Sequence, residues 1–141
     1  MGTLDLGDLP NGALLLVDSA PVIYVIEKHP TWRSRFRPVF EAHETGRVRL
    51  AITTVAIVEV LTGPLRKGDE ALARHYRSVL ESWQRVDLDL DIAEGAARLR
   101  ASLRLKLPDA VQAASALKIN AAALVTHDRD FSRVHSLRVI S

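Results

Sequence analysis

Short unbroken apolar runs alternate along this chain with longer stretches in which apolar side chains recur at helical spacing. Ala13–Val17 (ALLLV) predicts a strand covered on both faces. It ends at Asp18-Ser19, where Ser19 is a candidate helix cap, Pro21 suits a first turn, VIYVIEK continues the helix and Pro30 closes it. Thr31 is a candidate cap for a second helix through Trp32, Phe36, Val39 and Phe40. Pro38 is expected to kink or split that helix, which ends near Gly46. Val48–Thr53 predicts a second strand. Thr53 or Thr54 then caps a helix carrying Val55, Val58 and Glu59, expected to stop at Gly63-Pro64.

After the polar break Lys67-Gly68-Asp69, Leu72, Tyr76, Val79, Leu80 and Trp83 mark another helix. Arg85–Leu88 predicts a third strand, and Asp91 opens an Ala-rich helix to about Leu105. The stretch Lys106–Phe131 (KLPDAVQAASALKINAAALVTHDRDF) predicts a helix, a short break, a buried strand and an acidic loop. Arg138–Ile140 predicts a last short strand. Residues 1–12 carry Gly, Pro, Asn and Asp with little periodicity and form a loose N-terminal extension in this reading, leaving 13–141 as the domain. Strands alternating with helices place the chain in the α/β class, with a mainly parallel sheet flanked by helices on both faces.

Composition narrows the function. The 141 residues suit one domain. There is no Cys, which excludes a disulfide framework and cysteine zinc sites and suits a reducing cytoplasm. No apolar run reaches the roughly 18 residues of a membrane helix, and ALLLV lacks the basic start of a signal peptide. The formal charge is +2, with 15 Arg against 4 Lys. Guanidinium forks match phosphates and carboxylates, so a polyanion or an acidic protein is a possible partner. Arg33, Arg35 and Arg37 spread around their helix, as on a solvated basic surface. Trp32, Phe36 and Phe40 fit a core or a partner groove. The five His show no metal-ligand spacing; His127, beside Asp128, reads either as a surface residue, the favoured reading, or as a group that approaches substrate.

The chemistry lies in acids at strand ends. Asp18 follows the first strand, Glu59 lies in the helix after the second, and Asp128 follows the strand of the Lys106–Phe131 stretch, with Asp130 two residues on. Asp109 opens a helix that precedes its strand, so it joins the others only if that helix runs antiparallel to the strand, as a βαβ crossover requires. Each acid alone has an ordinary explanation. Asp18 and Asp109 suit helix starts, and Asp128 and Asp130 suit turns. Glu59 is harder to dismiss, since it sits among Val55, Ile57, Val58, Val60 and Leu61, where an unpaired buried acid is costly. Together they point to one sheet edge. Clustered carboxylates repel unless a divalent cation lies among them, and hard oxygen ligands suit Mg²⁺ or Mn²⁺. The matching chemistry is phosphodiester hydrolysis.

With these residues in place the chain resembles the PIN-domain family, and within it the VapC toxins of bacterial toxin–antitoxin pairs. The resemblance is carried by LLLVDSAPVIYVIE, AITTVAIVEVLTG, LPDAVQAASAL and ALVTHDRDF. It implies a PIN-like three-layer sandwich and Mg²⁺- or Mn²⁺-dependent endoribonuclease activity leaving 5′-phosphate and 3′-hydroxyl ends. It also implies a VapB-like antitoxin and frequent homodimers. Asp18, Glu59, Asp109 and Asp128 match the family's metal-holding and catalytic acids, and Thr126, Asp130 and Ser19 match supporting positions. Ala20 departs from the polar residue of many relatives. Two rivals stand beside this reading. A phosphoacceptor module needs paired acids at the first strand end and a Lys after the last strand; this chain has Asp18-Ser19 and ends RVIS. A catalytically weak PIN-like module that binds a partner or RNA remains open.

Overall fold

In the computed structural model, which describes residue 2 and residues 4–141, the strands form one all-parallel sheet in the order β3-β2-β1-β4-β5. β1 is Ala13–Val17, β2 Val48–Thr53, β3 Gln84–Val86, β4 Ala123–Val125 and β5 Val139–Ile140. The helices are α1 Ser19–Ile26, α2 Arg33–Glu44, α3 Thr54–Arg66, α4 Glu70–Glu81, α5 Leu90–Leu103 and α6 Leu107–Lys118, with a 3₁₀ turn over Arg129–Arg133.

The unbroken apolar run of β1 has the reason given for buried parallel strands: both of its faces are covered. Leu15 and Val17 point to one core with Leu50, Ile52 and Val125, closed by Val22, Phe36, Val39, Val60 and Tyr76 from α1–α4. Leu14 and Leu16 point to the other with Leu124, closed by Ile92, Ala96, Ala110 and Ala113 from α5 and α6. The result is three layers, as the sequence predicts.

The strand order also fixes where a ligand can bind. The chain moves outward from β1 to β2 and β3, then returns to the other side of β1 for β4 and β5. β1 and β4 therefore flank the switch point, and the crevice beyond their carboxyl ends is the ligand position of open α/β sheets. Asp18 and Asp128 follow those two strands.

Several local expectations are corrected. Asp18, not Ser19, caps α1, accepting from the Ser19 amide. α2 has no side-chain cap; Trp32 occupies the position, and the Thr31 and Trp32 amides donate to His29 Nδ1 instead. Pro38 stays inside a continuous α2, because Phe36 and Val39 are fully buried and anchor the helix on either side. α3 runs through Gly63-Pro64 to Arg66, with Pro64 buried. β3 is Gln84–Val86 rather than Arg85–Leu88, α5 begins at Leu90 behind the Asp89 cap, and β5 begins at Val139. The N-terminal lead-in is docked, not loose. Leu4 and Leu9 are buried, and Arg47 donates to the carbonyls of Leu6, Leu9 and Pro10.

Candidate active site

Asp18 is the anchor of the crevice. It is only 9% exposed, and its carboxylate accepts three hydrogen bonds. The Ser19 amide and Gln112 Nε2 reach Oδ1, both at 2.9 Å, and Thr126 Oγ1 reaches Oδ2 at 2.8 Å. Buried polar groups of this kind need partners, and these partners also set the carboxylate's orientation. Each donor is itself held. Thr53 donates to Gln112 Oε1 while accepting the Ala56 amide at 3.0 Å as the cap of α3. Thr126 Oγ1 accepts from the Asp128 amide at 3.0 Å, and Asp128 Oδ1 accepts from the Asp130 amide at 2.9 Å. One network thus ties the ends of β1, β2 and β4 to α6.

A cleft of about 310 Å³ opens above this network. It is lined by Asp18, Ser19, Glu59, Asp109, His127 and Asp128, with Ala20 and Tyr24. The antiparallel return of α6 is realised, and Asp109 stands at the same edge as Asp18. The four acids singled out in the sequence share the cleft, but unequally. Carboxylate oxygens of Asp109, Asp128 and Asp130 all lie within 4.8 Å of one another. Asp18 turns its oxygens to Gln112 and Thr126, and Glu59 lines the cleft beside Asp18 and Ser19, outside the close trio. Glu59 is exposed, not buried in an apolar helix face. α3 leaves Val58 64% exposed as well, so the apolar run misleads there.

Burial first, and neighbouring charge second, explain the behaviour of these carboxyls. Partial burial raises the Asp109 carboxyl from 3.8 to about 6, reinforced by the charges of Asp128, Asp18 and Asp130 and opposed by Lys106. Asp109 Oδ2 is buried with no hydrogen-bond partner. Desolvation and the Asp18 charge raise Glu59, while the Ser19 hydroxyl lowers it. Three converging carboxylates, one with an orphaned oxygen, fit a hard divalent cation: such an ion would fill the missing partner and relieve the repulsion.

Gln112 escaped the sequence reading, and Thr53 entered it only as the cap of α3, a place it does occupy. Gln112 and Thr53 are each 1% exposed. Gln112 lies three residues after Asp109, on the same helical face, within an otherwise Ala-rich buried stretch; that placement was the available signal. Of the two readings of His127, the structure favours the one that brings it to the site beside Asp128. The ring lines the cleft, its Nδ1 3.1 Å from the Tyr24 hydroxyl. Phe36 is core, and Phe40 packs on Trp83 at a centroid distance of 5.4 Å, so these two rings do not form an open strip.

Fold and cleft define an α/β protein whose sheet edge gathers carboxylates where a cation and a phosphate ester could meet. A PIN-domain family model matches residues 15–137, and the chain belongs to the PIN-domain family, a family of nucleases. A search of curated proteins finds no match. Among solved structures, a toxin–antitoxin complex from Klebsiella pneumoniae is 26% identical, covers 90% of this chain and 96% of its own, and superposes with a TM-score of 0.70. VapBC2 from Rickettsia felis, bound to a DNA fragment from its promoter, is 21% identical over 89% of this chain and 96% of its own, with a TM-score of 0.73. VapC20 from Mycobacterium tuberculosis, a toxin that cleaves the sarcin–ricin loop, is 14% identical over 85% of this chain and 94% of its own, with a TM-score of 0.71. The last two likenesses bear on the fold.

Proposed function

We propose that this protein is a divalent-cation-dependent endoribonuclease and the toxin of a toxin–antitoxin pair. The observation that carries the reading is the convergence of Asp109, Asp128 and Asp130 within 4.8 Å, with Asp109 Oδ2 buried and unpartnered. These three would hold Mg²⁺ or Mn²⁺, with Asp18 completing the acidic edge. Bound there, the cation supplies neutralisation of the phosphate and activation of water.

The chain's own residues then have distinct tasks. Gln112, Thr126 and the Ser19 amide hold Asp18 in one orientation, as a preorganised site requires. Glu59, in the same cleft and raised above its ordinary value, accepts a proton from the attacking water. Attack at phosphorus breaks its bond to the 3′-oxygen, which takes a proton from solvent, and leaves 5′-phosphate and 3′-hydroxyl ends. Residues 13–141 would form the catalytic domain, in the cytoplasm, as a homodimer held by a VapB-like antitoxin. The toxin–antitoxin complexes among the similar structures support that partner. Among the described residues, no helix is long and apolar enough to cross a membrane.

The test is incubation of the purified, antitoxin-free protein with total RNA, with Mg²⁺ or Mn²⁺ and with chelator, beside Asp18→Asn. Cation-dependent cleavage lost in the variant supports the reading. Cleavage that survives chelation removes the metal; no cleavage by the wild type leaves a PIN-like binding module.

A further inference from the structure

The acidic cleft adjoins a larger one of about 720 Å³, and the two share His127 and Asp128. The chemistry changes across that boundary. The second cleft has Trp32 and His127 as ring surfaces, Arg35 and Arg129 as guanidinium groups, and the Ser132 hydroxyl. The ring surfaces are fixed in place. His127 lies 3.9 Å from Trp32 between centroids, inclined at 54°. Tyr24 stacks beside Trp32 at 6.2 Å and packs on the fully buried Phe36 at 5.9 Å. With the Tyr24 hydroxyl on Nδ1, Nε2 is the His127 nitrogen left to meet a ligand. Arg35 is held at the rim by the Gly2 and Ser141 carbonyls. Arg129 is exposed and has no carboxylate partner among the described residues.

The acid cluster makes no use of these groups, but a nucleic-acid strand would. Carboxylates repel phosphates, so a strand crossing the acidic cleft needs cations and stacking surface beside it. We propose that the second cleft is the subsite for a nucleotide flanking the scissile phosphate. Trp32 is the platform for its base, and Arg129 meets its phosphate. The inference rests on the nuclease reading above and adds the residues that hold the flanking nucleotide; a base held in a duplex cannot lie on Trp32.

Trp83 is the only other tryptophan and is buried against Phe40. A protein carrying Asp18→Asn and Trp83→Phe therefore reports from Trp32 alone without turning over RNA. Titrated in Mg²⁺ with a single-stranded oligoribonucleotide, its fluorescence is quenched saturably, and the same sequence as a duplex binds at least about ten-fold more weakly. Arg129→Gln on that background weakens binding and reduces its salt dependence. Trp32→Phe, which keeps the packing on Tyr24, raises KM for cleavage about five-fold or more with a smaller change in kcat. Absent quenching while the wild type still cleaves RNA overturns the subsite and leaves the nuclease reading standing. Equal quenching by single strand and duplex overturns stacking on Trp32. No cleavage by the wild type with either metal overturns the reading on which the subsite rests.

Discussion

Replacing Asp109 by Asn is expected to stabilise the metal-free protein at neutral pH, although it removes a group from the proposed centre. The carboxyl is raised from 3.8 to about 6, chiefly by desolvation and then by Asp128, Asp18 and Asp130. The folded state holds this proton more tightly than the unfolded state does. Asp109 therefore lowers stability fully above about pH 6, and the deficit fades as pH falls towards 4. A displacement of that size corresponds to about 3 kcal/mol unscreened. The side chain is half-buried, and water reduces the figure to about 1–1.5 kcal/mol. Asn loses about 0.5 kcal/mol of favourable interaction with the N-terminus of α6. The net gain is about 0.5–1 kcal/mol, or about 2–3 °C in Tm for a chain of this size. Thermal unfolding followed by circular dichroism in chelator at pH 7.5 reads it, and the gap closes near pH 4.5. Mn²⁺ reverses the order by stabilising the wild type more. A variant that melts below the wild type in chelator at pH 7.5 would refute the argument from desolvation and repulsion and make Asp109 an ordinary helix-start acid.

Three further outcomes follow from the same geometry. Gln112→Leu strands the Asp18 carboxylate and the Thr53 hydroxyl, and urea unfolding should show a loss of about 2–4 kcal/mol together with much reduced cleavage. Tyr76→Phe removes the bond from a fully buried ring to Glu27, joining α4 to α1; a loss of about 1 kcal/mol in the same assay is expected, with cleavage unchanged. The apparent Mn²⁺ affinity, followed by calorimetry, should fall as pH drops below about 6, by up to about ten-fold per pH unit, because protonated Asp109 is no ligand.

The frame of the molecule was legible where a single physical signal dominates. ALLLV could only be a strand covered on both faces, and the acids after β1 and β4 followed from the parallel topology. Asp109 depended on the direction of α6, which the return to the start of a parallel strand supplies. Local detail failed where two signals compete. Pro38 and Pro64 each remove one ladder bond, but the buried residues beside them hold the helices together. Glu59 seemed buried because its neighbours are apolar, yet exposed Val58 beside it shows that α3 is not covered on that side. Gln112 carries neither charge nor motif spacing, and Thr53 reads as a helix cap alone. Their importance appears only once three strand ends meet at Asp18.

The central claim is that the carboxylates at the switch point gather for a cation. Titration of the chelator-treated protein with Mn²⁺, followed by electron paramagnetic resonance of the free ion, tests it without RNA or antitoxin. The wild type is expected to bind Mn²⁺ saturably, with affinity falling at least about ten-fold in Asp109→Asn and in Asp128→Asn. Binding of equal strength in both variants, or none in the wild type, would contradict the claim.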